Sequence, residues 1–350
     1  MVSGQRRGLT AALARLALRL VEMPYTLAVS WRNYGYDHGH LTVSRAEVPV
    51  ISVGNLTLGG TGKTPLVAWI ARWLRARDLR VTLISRGYGA EEGARNDEAL
   101  ELEQKLPDVP HLQNPDRVAA AHTAVEEFEC QVILLDDGFQ HRRMGRDLDI
   151  VLIDAVEPFG FGHVFPRGML REPVSSLARA RVIALSRADM VAPQERVRLR
   201  AVAQRYNPGA AYIEMRHAPQ QLLSASRRSA PLESLRSQPV VAFCGIGNPA
   251  GFRHTLTECG YAVLELREFP DHHAYTAEDI GALARLAGER KAAALVCTHK
   301  DLVKVAVDEV AGVPLWAVEI GLEILSGQAS LEACLAAVVP PSAGKQNAPC

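Results

Sequence analysis

The sequence predicts an α/β protein: a doubly wound parallel sheet of the P-loop NTPase type, followed by a second, smaller α/β lobe. Three observations predict it. An apolar run at 48–53 enters Gly54-Asn55-Leu56-Thr57-Leu58-Gly59-Gly60-Thr61-Gly62-Lys63-Thr64, and a helix-compatible run at 66–74 leaves it. Short apolar runs then alternate with stretches of helical spacing, the rhythm of parallel strands joined by helices. That rhythm fades over 220–238, a stretch rich in Ser, Arg and Pro, and restarts beyond it.

The glycine-rich stretch sits between a strand and a helix. Such a loop turns backbone N–H groups toward a phosphate chain, and the helix N-terminus adds partial positive charge. Lys63 is placed to reach the β/γ-phosphates and the Thr64 hydroxyl to bind Mg²⁺. Thr57 occupies the position where the strict pattern has its first glycine. The run from Gly59 to Thr64 also resembles the variant loop of the ParA/MinD ATPases, but their signature lysine falls on Leu58.

The 350 residues suffice for about two domains. Hydrophobic content of 48% with 22% charged residues marks a globular chain. Lys+Arg and Asp+Glu both number 39, so no global field draws the chain to nucleic acid, and an anionic ligand must be met by local charge. Six scattered cysteines, with no Cys-x-x-Cys pair, argue against a zinc site or a disulfide framework and fit a reducing compartment.

No stretch approaches the roughly 20 apolar residues a membrane span needs. Leu9, Leu13, Leu16 and Leu20 nevertheless share one helical face, with Arg15, Arg19 and Glu22 on another, and Pro24 interrupts. Tyr25, Leu27, Val29, Trp31, Tyr34 and Tyr36 follow. A helix lying in a membrane interface and an amphipathic helix packed on the domain both produce this pattern.

Farther on, 81–84 reads as a strand ending in Ser85-Arg86-Gly87-Tyr88-Gly89, and a polar segment holding Asn96-Asp97-Glu98 follows. A helix is expected over 115–129. The apolar run 132–135 delivers Asp136-Asp137-Gly138-Phe139-Gln140-His141 to a strand end, where the second magnesium anchor of a P-loop enzyme sits. Strands at 149–154 and 182–186 flank a long turn-rich segment, 160–173, whose length suggests a functional role or a lid. In the second lobe, strands are expected at 240–244, 262–266, 294–297 and 315–318, with helices from about 252 and over 277–287. Asp271-His272-His273 lies past a strand and a proline, in a loop where histidines serve as acid/base groups, orient a carboxylate or bind metal. Gly245-Ile246-Gly247-Asn248-Pro249 reads as a tight turn.

These stretches together resemble the tetraacyldisaccharide 4'-kinase (lipid A 4'-kinase) family. The resemblance rests on the phosphate loop through Pro65, Ser85-Arg86-Gly87-Tyr88-Gly89, Asp97-Glu98, Asp136 to His141, Leu170-Arg171-Glu172-Pro173, Gly245 to Pro249, Asp271 to Thr276 and Lys300-Asp301. They occur in the family's order and cover nearly the whole chain. Thr57 also matches the family, which accounts for the broken strict pattern.

The resemblance implies an ATP- and Mg²⁺-dependent kinase acting on the 4'-hydroxyl of tetraacyldisaccharide 1-phosphate, a lipid A precursor. It implies a peripheral place at the cytoplasmic face of the inner membrane and no nucleic-acid partner. The expected organisation is an N-terminal membrane-contact helix (1–30), a P-loop kinase domain (31–235), a second α/β lobe (236–338) joined by a hinge, and a flexible tail (339–350). Expected nucleotide contacts are Gly54, Asn55, Thr57, Gly59, Gly60, Thr61, Gly62, Lys63 and Thr64. Thr64 with Asp136 and Asp137 are the expected metal ligands. Asp97, assisted by His272 or His273, is the expected base, with Lys63 also catalytic. Arg86, Gln140, His141 and Arg171 are the expected substrate contacts. Asn96, Phe161 and His299 depart from the family's pattern. The alternative from another class is a ParA/MinD-like membrane-associated ATPase switch.

Overall fold

A computed structural model of the chain describes residues 8–87, 97–271 and 273–340, with 97–99 as backbone alone. Tyr88, Gly89, Asn96 and His272 therefore lie outside the described residues. The elements run α1 (Leu9–Asp37), β1 (Val50–Asn55), α2 (Lys63–Arg75), β2 (Val81–Ser85), α3 (Asp97–Lys105), β3 (His111–Gln113), α4 (Arg117–Glu126), β4 (Val132–Asp136), β5 (Leu148–Asp154), β6 (Val182–Ser186), α5 (Pro193–Tyr206) and β7 (Ala211–Leu223). Then follow β8 (Ser229–Ala230), β9 (Pro239–Cys244), α6 (Pro249–Glu258), β10 (Ala262–Glu268), α7 (Ala277–Glu289), β11 (Ala294–Thr298), α8 (His299–Val305), β12 (Glu309–Val310), β13 (Val313–Ser326) and α9 (Gln328–Ala336).

The chain forms two compact units. One comprises Met1–Ala90, Leu106–Arg216 and Glu323–Cys350; the other comprises Glu91–Lys105 and His217–Leu322. The composition shift near 235 thus falls inside the second unit, and the short insert holding α3 joins that unit rather than its sequence neighbours.

In the first unit the strand order is β7-β6-β5-β1-β4-β2-β3, with the pairs given in register all parallel. β1, β2, β4 and β6 are buried along their whole length. Continuous Val/Ile/Leu runs are what a sheet covered on both faces demands. β1 lies between β4 and β5, where the order reverses, so the glycine-rich loop leaves the sheet at its switch point. In the second unit β10-β9-β11-β13 are parallel, with apolar clusters on both sides of β9 and β11.

α3 and β3 were not legible as elements, because a nine-residue helix of composition DEALELEQK shows little apolar period. Its anchor is local to the second unit. It packs on α8, Leu102 is fully buried, and Lys105 Nζ donates to Glu101 Oε1 at 2.9 Å and to the carbonyl of Ile320 at 2.9 Å.

α1 lacks the expected break at Pro24, and of its two expected placements it takes the one with the leucines outward. It runs unbroken through Pro24 to Asp37. Contacts on both sides of the proline hold it: Glu22 Oε1 accepts from the Val164 amide at 2.8 Å, and Asn33 Nδ2 donates to Glu172 Oε2 at 2.8 Å. These offset the donor that proline removes from the helix. Its orientation is also reversed from that of a helix packed by its leucines. Ala11, Leu18, Glu22, Thr26, Val29 and Asn33 turn inward, while Leu9, Leu13, Leu16, Leu20, Met23, Leu27 and Trp31 stand in solvent, Trp31 81% exposed.

Glu172 is the inner post of this arrangement. Its side chain is fully buried and accepts from Asn33, from Ser176 Oγ at 2.9 Å and from Arg179 Nη2 at 2.8 Å. Burial pushes its carboxyl up, but Arg179 and these hydrogen bonds outweigh that and hold it below the ordinary value of 4.5. The unfolded chain therefore binds the proton more readily. The stabilisation is present above the ordinary value and is lost as pH falls through the depressed one. Glu172→Ala should cost roughly 3–5 kcal/mol at neutral pH by stranding buried Arg179, and urea titration should show the deficit shrinking in acid. An unchanged urea midpoint would exclude Glu172 as the anchor.

Candidate active site around the glycine-rich loop

The loop begins where β1 ends. A side chain at Gly54 would place its Cβ 2.6 Å from the Cβ of Phe139, so β1 and the Asp136 to His141 turn can meet only with glycine there. Asn55 then organises the loop. Its Nδ2 donates to the carbonyl of Thr57 at 2.8 Å and, more weakly, of Gly59 at 3.5 Å, while its Oδ1 accepts from Lys63 Nζ at 3.3 Å. Thr57 itself forms a bridge to Leu170, and the Leu58 amide donates to the carbonyl of Met169 at 2.6 Å. The position that breaks the strict motif is where the loop is tied to the 160–173 segment. Gly62, at φ 76°, caps α2, and Lys63 and Thr64 open that helix, Thr64 nearly buried.

Across from the loop stand the two aspartates. Register pairing sets Asp136 beside Val53, and its residue is buried. Asp137 adopts φ 54° and receives two cations: Arg171 Nη1 at 2.6 Å and Lys63 Nζ at 3.5 Å. Burial works to raise the Asp137 carboxyl, but Lys63 and Arg171 pull it below its ordinary value, so it is ionised. Gln140 closes the ring, donating to the carbonyl of Asn55 at 3.0 Å and accepting from Arg171 at 3.3 Å. Lys63, Asn55, Asp137, Gln140 and Arg171, drawn from three stretches of sequence, thus form one network.

His141 lies at the edge of this ring. Burial, then the charge of Arg117, lowers it to about 4, so it is a neutral imidazole at physiological pH. Arg117 is itself buried at the start of α4 and feels the charges of Arg86, Asp137 and Asp136. Ser85 ends β2 at the same carboxyl edge of the sheet, and Arg86 follows it.

Oxygen donors suited to a hard divalent cation are present: the Thr64 hydroxyl at the head of α2 and the buried Asp136 carboxylate at the end of β4. Asp137 is engaged with two cations and fits less well. Among the described residues no cluster of three His, Cys, Asp or Glu side chains could hold a metal alone.

Asp97 and the histidine loop belong to the second unit. Asp97 is the first residue of α3. His273 is stacked on Phe269 at 4.7 Å between centroids, and its Nε2 lies 3.0 Å from Asp279 Oδ2, the carboxylate that completes the capping box of α7.

Comparison with known proteins decides the family. The family model described as LpxK, tetraacyldisaccharide-1-P 4'-kinase, matches residues 14–340. The chain belongs to this family. Its relatives include the tetraacyldisaccharide 4'-kinase of Anaeromyxobacter dehalogenans (strain 2CP-C), 44% identical over 95% of this chain and 93% of the relative. Another is that of Halothermothrix orenii, 34% identical over 89% of this chain and 88% of the relative. A crystal structure described as the "apo" form of LpxK from Aquifex aeolicus in complex with ATP superposes with a TM-score of 0.74 at 28% identity, covering 93% of this chain and all of that one. Membership of the family upholds the reading drawn from the ordered motifs, and the ParA/MinD-like alternative gains no support.

Several residues of the site escaped sequence reasoning. Behind the loop, Ser186 Oγ donates to the carbonyl of Thr61 at 2.8 Å, and Arg187, buried at φ 53°, donates to that of Gly60 at 3.4 Å. Arg187 is in turn held by Asp154, its Nε donating to Oδ1 at 2.9 Å and Nη2 meeting Oδ2. The available signal was position: Asp154 and Ser186 both end buried strands flanking β1 on one side. Arg187→Ala should weaken Mg-ATP binding by roughly 10-fold or more, the worth of one or two hydrogen bonds involving a charged group. Isothermal titration measures it; unchanged affinity would show that the loop keeps its shape without Arg187.

Proposed function

We propose that this protein transfers the γ-phosphoryl group of ATP to the 4'-hydroxyl of a tetraacyldisaccharide 1-phosphate at a membrane surface. The observation that carries the reading is the assembled ring of Lys63, Asn55, Asp137, Gln140 and Arg171 around a phosphate-binding loop, in a chain of this family.

The loop amides from Gly59 to Thr64 would receive the triphosphate at the N-terminus of α2. Its negative charge competes for Lys63 and Arg171, both of which already lie on an anion, Asp137. Thr64 and Asp136 would hold Mg²⁺, which when bound neutralises charge on the phosphates. Phosphoryl transfer is chiefly a matter of such positioning and charge stabilisation. The 4'-oxygen attacks the γ-phosphorus, the bond to the β-bridging oxygen breaks, and the hydroxyl proton passes to the Asp97 carboxylate. The histidine that assists Asp97 is His272 or His273, and Asp279 Oδ2 lies 3.0 Å from His273 Nε2. Arg86, Arg117, Gln140 and the neutral His141 serve as phosphate- and sugar-facing groups along the carboxyl edge of the sheet.

Acyl chains stay in a bilayer, so the enzyme must reach them there. Among the described residues no helix is long and apolar enough to cross a membrane. The support for a peripheral contact is the outward leucine face of α1, with Trp31, Tyr34 and Tyr25 farther along and Arg15 and Arg19 beside it. A helix that buries small and polar side chains against its own domain and presents leucines to solvent fits an interface, at what would be the cytoplasmic face of the inner membrane.

Two outcomes test these roles. Asp97→Asn should lower kcat for lipid phosphorylation by about 10²–10⁴, the usual range for a general base, while ATP binding stays as in the parent; a near-parental kcat would remove Asp97 from the chemistry. Replacing Leu13, Leu16 and Leu20 together by Gln should cut co-sedimentation with anionic vesicles by at least about 10-fold, since each buried leucine contributes roughly 1.5–3 kcal/mol. Equal sedimentation of both proteins would rule out this face as the contact.

A further inference from the structure

Three motifs of the second unit have no part in the phosphate site: the Gly245-Ile246-Gly247-Asn248-Pro249 turn, the 271–276 loop and Lys300-Asp301. The structure joins them at a single carboxylate. Asp301 lies in the first turn of α8 and is completely buried. Its Oδ1 accepts from the Gly245 amide at 3.0 Å and from the Tyr275 hydroxyl at 2.8 Å. Its Oδ2 accepts from Thr298 Oγ1 at 2.5 Å, and Thr298 is the N-cap of α8. A buried carboxylate is costly unless its oxygens are occupied, and here both are.

Two of those donors, the Gly245 amide and the Tyr275 hydroxyl, bear on the histidine loop. Tyr275 stands two residues beyond His273 in the loop, and its ring packs edge-on against Phe243 at 5.4 Å, Phe269 at 5.2 Å and His273 at 5.1 Å. Burial, reinforced by the charge of Asp301, pushes the Tyr275 phenol well above its ordinary value, so it remains a donor. Gly245 lies directly under the loop: a Cβ there would come within 3.2 Å of His273 Cβ, the Pro270 carbonyl and the Tyr275 hydroxyl. The loop is seated on the first residue past β9, and Asp301 grips both the seat and the tyrosine that packs on His273.

We infer that Asp301 is a positioning residue for the histidine loop, acting through Tyr275 and the Gly245 amide and touching neither nucleotide nor lipid. The inference deepens the proposed reaction and rests on it, since the loop matters to rate only if a histidine there assists the base. The rigid route is short: carboxylate, phenol hydroxyl, ring, imidazole. Asp279 fixes the imidazole's other edge through the α7 capping box, so the ring is held on two sides. A fixed polar network of this kind has much to lose from one missing partner.

Tyr275→Phe is the sharp test, because it keeps the aromatic cluster and deletes only the hydroxyl. At saturating lipid it should lower kcat by about 10-fold or more, the scale of a small misplacement of an acid/base group. KM for ATP should not move. Asp301→Asn should give a similar kcat loss, and the Asp301→Asn/Tyr275→Phe double variant should be no slower than the slower single, since both remove one link. Should Asp301→Asn fail to fold, the Tyr275→Phe result stands alone. Parental kcat in Tyr275→Phe would overturn the inference, as would losses that multiply in the double variant or a kcat loss matched by weakened ATP binding. If the parent protein itself does not phosphorylate the lipid, the proposed reaction fails, an outcome distinct from an active parent with an equally active Tyr275→Phe.

Discussion

The first unit's site depends on one interaction: the Asp137 carboxylate held between Lys63 and Arg171. Three segments distant in sequence meet on it. Lys63 belongs to the phosphate loop, Asp137 to the turn after β4, and Arg171 to the segment after β5. With burial opposing ionisation, only the two cations keep the carboxylate charged, so the three groups are mutually dependent. Neighbouring contacts follow from this pin. Gln140 bridges Arg171 to the Asn55 carbonyl, and Leu170 bridges Thr57. Glu172, next to Arg171, then carries the order outward to α1 through Asn33. The loop that would receive phosphates and the helix that would meet a surface are tied to successive residues of one segment.

Much of this was legible. The strand-loop-helix around Gly59 to Thr64 and the apolar delivery of Asp136-Asp137 to a strand end follow from local periodicity, and the structure shows both. The alternation of strands and helices pointed to the parallel strands of each unit, with strand starts within a few residues, although β13 runs on to Ser326, well past the expected 318. Thr57, which weakened the motif, is where the loop joins the 160–173 segment.

What stayed hidden has physical reasons. α3 is polar and short, and its stability comes from Leu102 and the Lys105 contacts, none of which leaves a repeating pattern. β7 is a strand of mixed composition, AYIEMRHAPQQLL, whose partial burial masks any alternation. Arg187, Arg117 and Asp301 act through side-chain interactions that include residues far away in sequence, and a lone charged residue looks the same whether solvated or buried. The leucine face of α1 was plain in the sequence, but the same amphipathic pattern serves a helix turned inward or outward. The Glu22 and Asn33 contacts on the opposite face decide which.

The division of the chain into units has a bearing on how the protein is made. Neither unit is a continuous stretch: residues 91–105 belong with 217–322, and 323–350 belong with the first unit. On the ribosome α3 emerges long before α8 and β13, which supply its packing surface and the carbonyl that Lys105 reaches. Until then Leu102 and the Glu101–Lys105 pair have no tertiary partner, and an isolated nine-residue helix is marginal in water. Acquisition of the Asp97 segment's native setting is thus a late, non-local event in biosynthesis, of the kind that slows folding. The second unit cannot be expressed as a simple C-terminal fragment without leaving a helix of its core behind.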